Sequence, residues 1–134
     1  MPPTSYEELL AFVEAHLDAP VARDRAPDGS LYLVGGDPPQ VIVRVTSSAV
    51  TVSEYAVRVE GPDAPVVRPI RIGSVVWRRI PDTSGMKAIS TLIAAARQSR
   101  LATFRICVSC ETATPPEWMR DDDTCQTCGE TRQG

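Results

Sequence analysis

The stretch VIVRVTSSAVTVSEYAVRV, residues 41–59, decides the fold of this chain. Valines alternate with other residues along its first half, as in a strand that buries one of its two faces. The phase of the alternation changes after Val52, and such a change predicts a β-bulge or bend near Ser53 and Glu54. The stretch therefore predicts the central strands of an antiparallel meander.

Further strands are predicted on both sides of this stretch. Residues 31–34 form a short apolar segment, and the Gly-Gly-Asp-Pro-Pro sequence that follows it is a strong turn signal. Residues 66–80 predict another strand, which Gly73 could interrupt. Pro69 is expected at a sheet edge or at a bulge, because its nitrogen cannot donate a hydrogen bond to a neighbouring strand.

One amphipathic helix is predicted at each end of the meander. Residues 4–18 carry one apolar face at helical spacing, formed by Tyr6, Leu9, Leu10, Val13 and Leu17. Residues 85–101 carry a second apolar face, formed by Met86, Ile89, Ile93 and Ala96. The predicted fold class is therefore α+β, with an antiparallel sheet flanked by an N-terminal helix and a second helix.

All four cysteines of the chain occur in two Cys-x2-Cys pairs that are separated by 14 residues. Each pair can form a tight turn whose sulfurs converge, and four thiolates complete a closed tetrahedral zinc site. We therefore predict one zinc ion in a C-terminal zinc ribbon, with the ligands Cys107, Cys110, Cys125 and Cys128. Four cysteine ligands leave no coordination position for water, so the predicted role of the zinc is structural.

Three other uses of the cysteines fit the sequence less well. Two disulfides need an oxidising compartment, whereas residues 1–8 lack the basic and apolar segments of a secretory signal. A thioredoxin-like redox pair would place one Cys-x2-Cys at the start of a helix that follows a strand. An iron–sulfur cluster also uses four thiolates, but this paired spacing favours zinc. The chain has no apolar run of membrane-spanning length, and a cytoplasmic location is expected.

The cysteines divide the chain into two predicted domains, an α+β domain at residues 1–104 and the zinc ribbon at 105–134. Between the two pairs the sequence reads Pro-Pro-Glu-Trp-Met, at residues 115–119. With this motif, residues 105–129 resemble the C-terminal zinc ribbon of a group of small uncharacterised bacterial proteins. The resemblance covers about a fifth of the chain, and it implies a zinc ribbon without implying an activity.

The loop of the ribbon favours a role in binding another protein. Pro116, Trp118 and Met119 combine a rigid backbone with two large apolar side chains, which is the composition of a small interface anchor. Packing of Trp118 against the ribbon or the α+β domain is an equally good alternative, which the exposure of Trp118 decides. The single histidine, His16, has no nucleophile or carboxylate at a spacing that predicts a catalytic site. The predicted function is therefore a non-enzymatic protein-binding module, adaptor or regulatory, with a structural zinc ribbon.

The distribution of charge provides an alternative, which is nucleic-acid binding. The net charge is −3, but residues 66–104 are basic while the segments on both sides are acidic. This basic segment could contact phosphates, or it could pair with the acidic first half of the chain. A phosphate interface would use Arg71, Arg78, Arg79, Lys87, Arg97 and Arg100. The acidic pI of about 5.1 favours the protein-binding interpretation.

Overall fold

The structure is a computed structural model that describes residues 6–58, 65–76 and 83–133. Its elements are, in chain order, α1 (Tyr6–His16), β1 (Val21–Arg25), β2 (Leu31–Gly35), β3 (Val41–Val45), β4 (Ala49–Glu54), β5 (Val57–Arg58), β6 (Val66–Val67), β7 (Ile70–Val76), α2 (Thr83–Ala102), β8 (Arg105–Ile106), β9 (Ala113–Thr114), a 3₁₀ helix (Pro116–Trp118) and α3 (Gln126–Gln133). Within the described ranges, no helix has the length and apolar character needed to cross a membrane.

Five of the strands form one antiparallel sheet, in the order β1-β2-β3-β4-β7. Side chains that lie opposite each other in an antiparallel ladder point to the same face. The register of β2, β3 and β4 therefore produces rows of buried aliphatic side chains on one face, namely Leu33, Val43 and Val52 in one row and Leu31, Val45 and Val50 in the next. The predicted antiparallel meander is confirmed for β3 and β4. The strand predicted to continue to residue 59 instead ends at Glu54, and β5 pairs with β6 in a separate two-stranded sheet.

Both long helices pack on this aliphatic face. One continuous cluster of buried side chains joins the helices to β2, β3 and β4. The predicted apolar faces supply its helical members, which are Leu9, Leu10, Val13, Met86, Ile89, Ile93 and Ala96, together with Leu17 just after α1. Removal of this aliphatic surface from water is the main favourable contribution to folding. The α+β class is confirmed.

The irregularity in the sheet lies where the phase change predicts it. The register of β4 against β7 shifts between Val52 and Ser53. The extra residue is Ile72 on β7, because Val52 pairs with Gly73 while Ser53 pairs with Arg71. The bulge therefore belongs to the partner strand rather than to the stretch whose pattern predicts it.

Gly73 does not interrupt a strand, contrary to the prediction. β7 continues through it, and the break in the predicted strand falls earlier, at Pro69, between β6 and β7. A Cβ on Gly73 would lie 2.7 Å from Cδ2 of Leu92 on α2. The absence of a side chain at Gly73 therefore lets α2 pack close to the sheet.

β1, the edge strand next to β2, is not predicted by the sequence pattern. Its sequence, Val-Ala-Arg-Asp-Arg, has no apolar alternation, and its last four residues are exposed. An edge strand needs no second buried face, and charged side chains there discourage pairing with other chains. Arg23 of β1 forms an ion pair with Glu14 of α1, which connects the edge of the sheet to the helix.

Gly35 lies where the end of α1 crosses β2, and it provides a test of this packing. A Cβ there would lie 2.7 Å from Cβ of Leu17 and 3.2 Å from the backbone oxygen of Asp18. Since neither atom is the movable end of a side chain, we expect Gly35→Ala to lower the free energy of unfolding by about 1–3 kcal/mol. Chemical denaturation measures this change, and an unaltered midpoint would contradict the close approach of α1 to β2.

Candidate metal centre

Residues 105–133 form a small unit that we call the cysteine module. β8 pairs with β9, and the first cysteine pair lies in the turn between these strands. The amide of Cys107 donates to the carbonyl of Thr112 at 3.2 Å, and the amide of Glu111 donates to the carbonyl of Cys107 at 2.8 Å. The first pair therefore forms the tight turn that its spacing predicts.

The second cysteine pair has a different setting. Cys125 forms an isolated antiparallel bridge with Met119, and α3 begins at the next residue. Cys128 lies in the first turn of α3. One pair thus lies in a hairpin turn and the other opens a helix, instead of two equivalent turns.

The four sulfurs converge on one point. The Sγ atoms of Cys107, Cys110, Cys125 and Cys128 all lie within 4.8 Å of one another. All four are free thiols, and Sγ of Cys110 is 3.9 Å from Sγ of Cys125. A tetrahedral ion with Zn–S bonds of about 2.3 Å requires sulfur–sulfur separations of about 3.8 Å. The cluster is therefore positioned to hold one metal ion.

The pKa values of Cys107 and Cys128 are shifted in opposite directions. The amide of Cys125, which donates to Sγ of Cys107 at 3.4 Å, and the amide of Cys110 lower the pKa of Cys107 to about 6. The hydrogen bond between the Cys128 thiol and the Cys125 sulfur, together with burial, raises the pKa of Cys128 to about 12. A bound divalent cation would lower the pKa of Cys128 again, because cysteine binds metals as the thiolate.

Glu111 carries backbone strain next to the cluster. Among the described residues it is the one non-glycine residue with a positive φ, which is 59°. An L-residue in this left-handed region costs about 1–2 kcal/mol, and glycine avoids most of that cost. The turn around the first cysteine pair therefore imposes a conformation that glycine would adopt more readily.

We expect Glu111→Gly to tighten zinc binding about two- to fivefold, because relief of backbone strain stabilises the bound module and folding is coupled to metal binding. Competition with a chromophoric chelator measures the affinity. Ser109→Gly, in the same turn but without a positive φ, is the matched control and should weaken binding. Equal affinities for the two variants would contradict the strain at Glu111.

The predicted anchor residues lie between the two cysteine pairs, in and after the 3₁₀ helix. Pro116 is exposed, Trp118 is 45% exposed, and Met119 is partly buried beside Cys125. Trp118 borders an open depression of about 440 Å³ whose wall includes three of the four cysteines. The structure therefore leaves Pro116 and Trp118 accessible, and it places the tryptophan next to the candidate metal site.

The basic residues of the nucleic-acid alternative occupy several environments. Arg78 and Arg79 lie outside the described residues. Lys87 is exposed on α2, and Arg71 is exposed on β7. The guanidinium of Arg71 donates to Oγ of Ser74 at 2.9 Å.

Arg97 and Arg100 make internal contacts instead. Arg97 forms an ion pair with Asp18 at 3.4 Å and donates to the carbonyl of His16, so it pairs with the acidic first half of the chain. Arg100 is only 2% exposed. Its burial corrects the expectation that it contributes to a basic surface, because an enclosed guanidinium cannot reach a phosphate on a partner.

Arg100, on α2, contacts both the cysteine module and the segments before β3 and after β4. Its guanidinium makes a two-pronged ion pair with the carboxylate of Glu117, with Nη1 3.1 Å from Oε2. Its Nε donates to the carbonyl of Pro39 at 3.1 Å. The rings of Tyr55 and Phe104 lie 5.2 Å and 5.0 Å from its Cζ, within the range of cation–π attraction.

The sequence contains a signal for this burial, although charge alone predicts an exposed residue. Arg100 follows Ala96 by four residues, so it continues the apolar face of α2 by one more turn. A basic residue at a core position of a helix needs a buried partner. That partner, Glu117, belongs to the Pro-Pro-Glu-Trp-Met motif and lies between Pro116 and Trp118, two of the predicted anchor residues.

His16 has local contacts. Nδ1 of His16 lies 2.9 Å from the carbonyl oxygen of Phe12. Because a carbonyl oxygen can only accept a hydrogen bond, this contact requires the tautomer in which Nδ1 carries the proton. Its ring lies 4.3 Å from the ring of Phe12, measured between centroids. These contacts are those of a helix-terminal histidine that packs on the preceding turn.

Comparison of the chain with protein-family models, with curated proteins and with solved structures gave no significant match. The resemblance of residues 105–129 to the ribbons of small bacterial proteins therefore stays a prediction.

Proposed function

We propose that this protein is a zinc-stabilised protein-binding module. The convergence of four free thiols within 4.8 Å carries the metal part of the proposal. A set of four soft thiolates in tetrahedral arrangement selects zinc over magnesium, calcium or manganese, which prefer oxygen ligands. With sulfur in every coordination position, the zinc would hold the module in shape rather than activate a substrate.

The small size of the secondary structure in the module supports this need for a metal. β8 and β9 have two residues each, and α3 has eight. Isolated hairpins and helices of such length are marginally stable in water. The free energy of zinc binding would therefore be the main source of stability for the module.

Elemental analysis of the purified full chain is expected to give one zinc per molecule. Cys125→Ser should reduce this to a small fraction, because it removes one ligand of a site that has no spare donor. Ser109→Ala, in the turn of the first pair, is the control and should retain the metal. Wild-type protein with no metal and either four titratable thiols or two disulfides would contradict the proposal.

The accessibility of Trp118 supports the protein-binding part. Large aromatic side chains contribute much of the energy of protein interfaces when they enter a pocket on the partner. Trp118 follows two prolines and lies close to the cysteine cluster, so zinc would fix the loop before a partner arrives. A loop that is already ordered loses less conformational entropy on binding.

The test of this part is affinity capture with the full zinc-loaded chain, followed by measurement of the dissociation constant for the identified partner. Trp118→Ser should weaken binding about tenfold or more, as at an interface hot spot. Val76→Ser is the matched control, since Val76 is 76% exposed on β7, outside the module; it should leave the affinity unchanged.

Two results would count against the protein-binding part. Equal binding by wild-type protein and Trp118→Ser would remove Trp118 as the anchor. Tight binding to duplex DNA or RNA that falls steeply between low and physiological salt, and that is lost on replacing Arg71 and Lys87 with alanine, would favour the nucleic-acid alternative.

A further inference from the structure

We infer that Arg100 and Glu117 form a metal-dependent latch, through which zinc binding at the cysteine cluster controls the packing of the α+β domain near the end of α2. The inference rests on the proposed zinc binding and adds a regulatory consequence to it. Its basis is that the two halves of one buried ion pair belong to the two parts of the chain.

Arg100 requires a negatively charged partner. The side chain is 2% exposed, and the rings of Tyr55 and Phe104 flank its guanidinium. In the described part of the chain, Glu117 is the carboxylate that pairs with it. Loss of one partner from such a pair leaves a charge without compensation in a poorly solvated site, which is strongly unfavourable.

Glu117 is held in place by the cysteine module. It lies in the 3₁₀ helix between the two cysteine pairs, so a metal that joins Cys110 to Cys125 closes the segment that carries it. Its carbonyl accepts a hydrogen bond from Nε2 of Gln126, the first residue of α3, at 3.2 Å. The bridge between Met119 and Cys125 fixes the chain two residues later.

The α+β domain depends on Arg100 at the same place. Nε of Arg100 donates to the carbonyl of Pro39, in the turn before β3. The next residue, Gln40, accepts a hydrogen bond from the amide of Tyr55 at 3.0 Å. Release of the guanidinium would therefore loosen the last turn of α2 together with the contact between Gln40 and Tyr55.

The coupling must act in both directions. If zinc binding stabilises the ion pair, then the ion pair strengthens zinc binding by the same factor. Couplings between two sites in one protein are commonly about 5- to 150-fold. A latch of this kind would let the metal content of the module change the surface of the α+β domain around residues 39–40, Tyr55 and the end of α2.

Amide hydrogen exchange of the full chain, with zinc bound and after chelation, tests the latch directly. Chelation of the wild-type protein should accelerate exchange at residues 97–102 and at the amide of Tyr55 by about tenfold, while β2 and the N-terminal half of α2 keep their protection. In Glu117→Gln, exchange at these positions should be fast with zinc bound and should respond little to chelation.

Zinc affinity, measured by chelator competition, provides the reciprocal readout. Glu117→Gln should bind zinc about tenfold more weakly than the wild-type protein. Asp122→Asn is the matched control, because it removes one negative charge from an exposed position of the same module; its affinity should remain close to that of the wild-type protein.

The outcomes separate this inference from the proposed function. Zinc that binds to wild-type protein without changing exchange at residues 97–102 or at Tyr55 would overturn the latch and leave the structural zinc in place. Equal zinc affinities for Glu117→Gln and Asp122→Asn would overturn it as well. A wild-type chain that binds no zinc would overturn both proposals.

Discussion

The guanidinium of Arg100 is enclosed where the last turn of α2 meets the cysteine module, and Glu117 balances its charge there. Arginine suits this position because its planar fork can bind a carboxylate with two nitrogens, use a third for a backbone carbonyl and still stack on rings. Each of these contacts reaches a different segment: Glu117 in the module, Pro39 before β3 and Tyr55 after β4. Arg100 therefore links the module to two segments next to the sheet, and loss of Glu117 would leave its buried charge uncompensated.

The sequence predicts those parts of the fold in which a strand or helix buries one face, because apolar residues then recur at a regular spacing along the chain. Val41, Val43 and Val45 alternate because β3 faces both helices on one side, and the apolar residues of α2 recur every three or four positions for the same reason. The cysteine cluster was predictable on other grounds, since metal ligands need fixed chemistry and short spacing within each pair. In these cases the constraint acts over a few neighbouring residues, so it leaves a trace in the local sequence.

The parts that escaped prediction depend on contacts between distant segments. β1 is a strand because β2 pairs with it, and its charged residues carry no period of their own. The sequence of α3, Gln-Thr-Cys-Gly-Glu-Thr-Arg-Gln, contains no apolar residues at helical spacing from which the helix could be predicted. Arg100 contributes to the charge of a basic segment, yet its partner lies 17 residues later, beyond the first cysteine pair. A charged residue is ordinarily expected at the surface, whereas the position of Arg100 on the buried face of α2 indicates that it lies in the core.

The module also distributes its apolar side chains in a way that bears on function. Its buried positions include Cys107, Cys125, Thr114, Thr124 and Pro115, whereas Ile106, Val108 and Trp118 are 60%, 59% and 45% exposed. A small unit without a metal would need those three large side chains inside to fold at all. If zinc supplies the stability, these three side chains can remain at the surface, where exposed apolar groups favour contact with another protein. A zinc ion bound to the four sulfurs would thus explain why the module can fold with Trp118 at its surface.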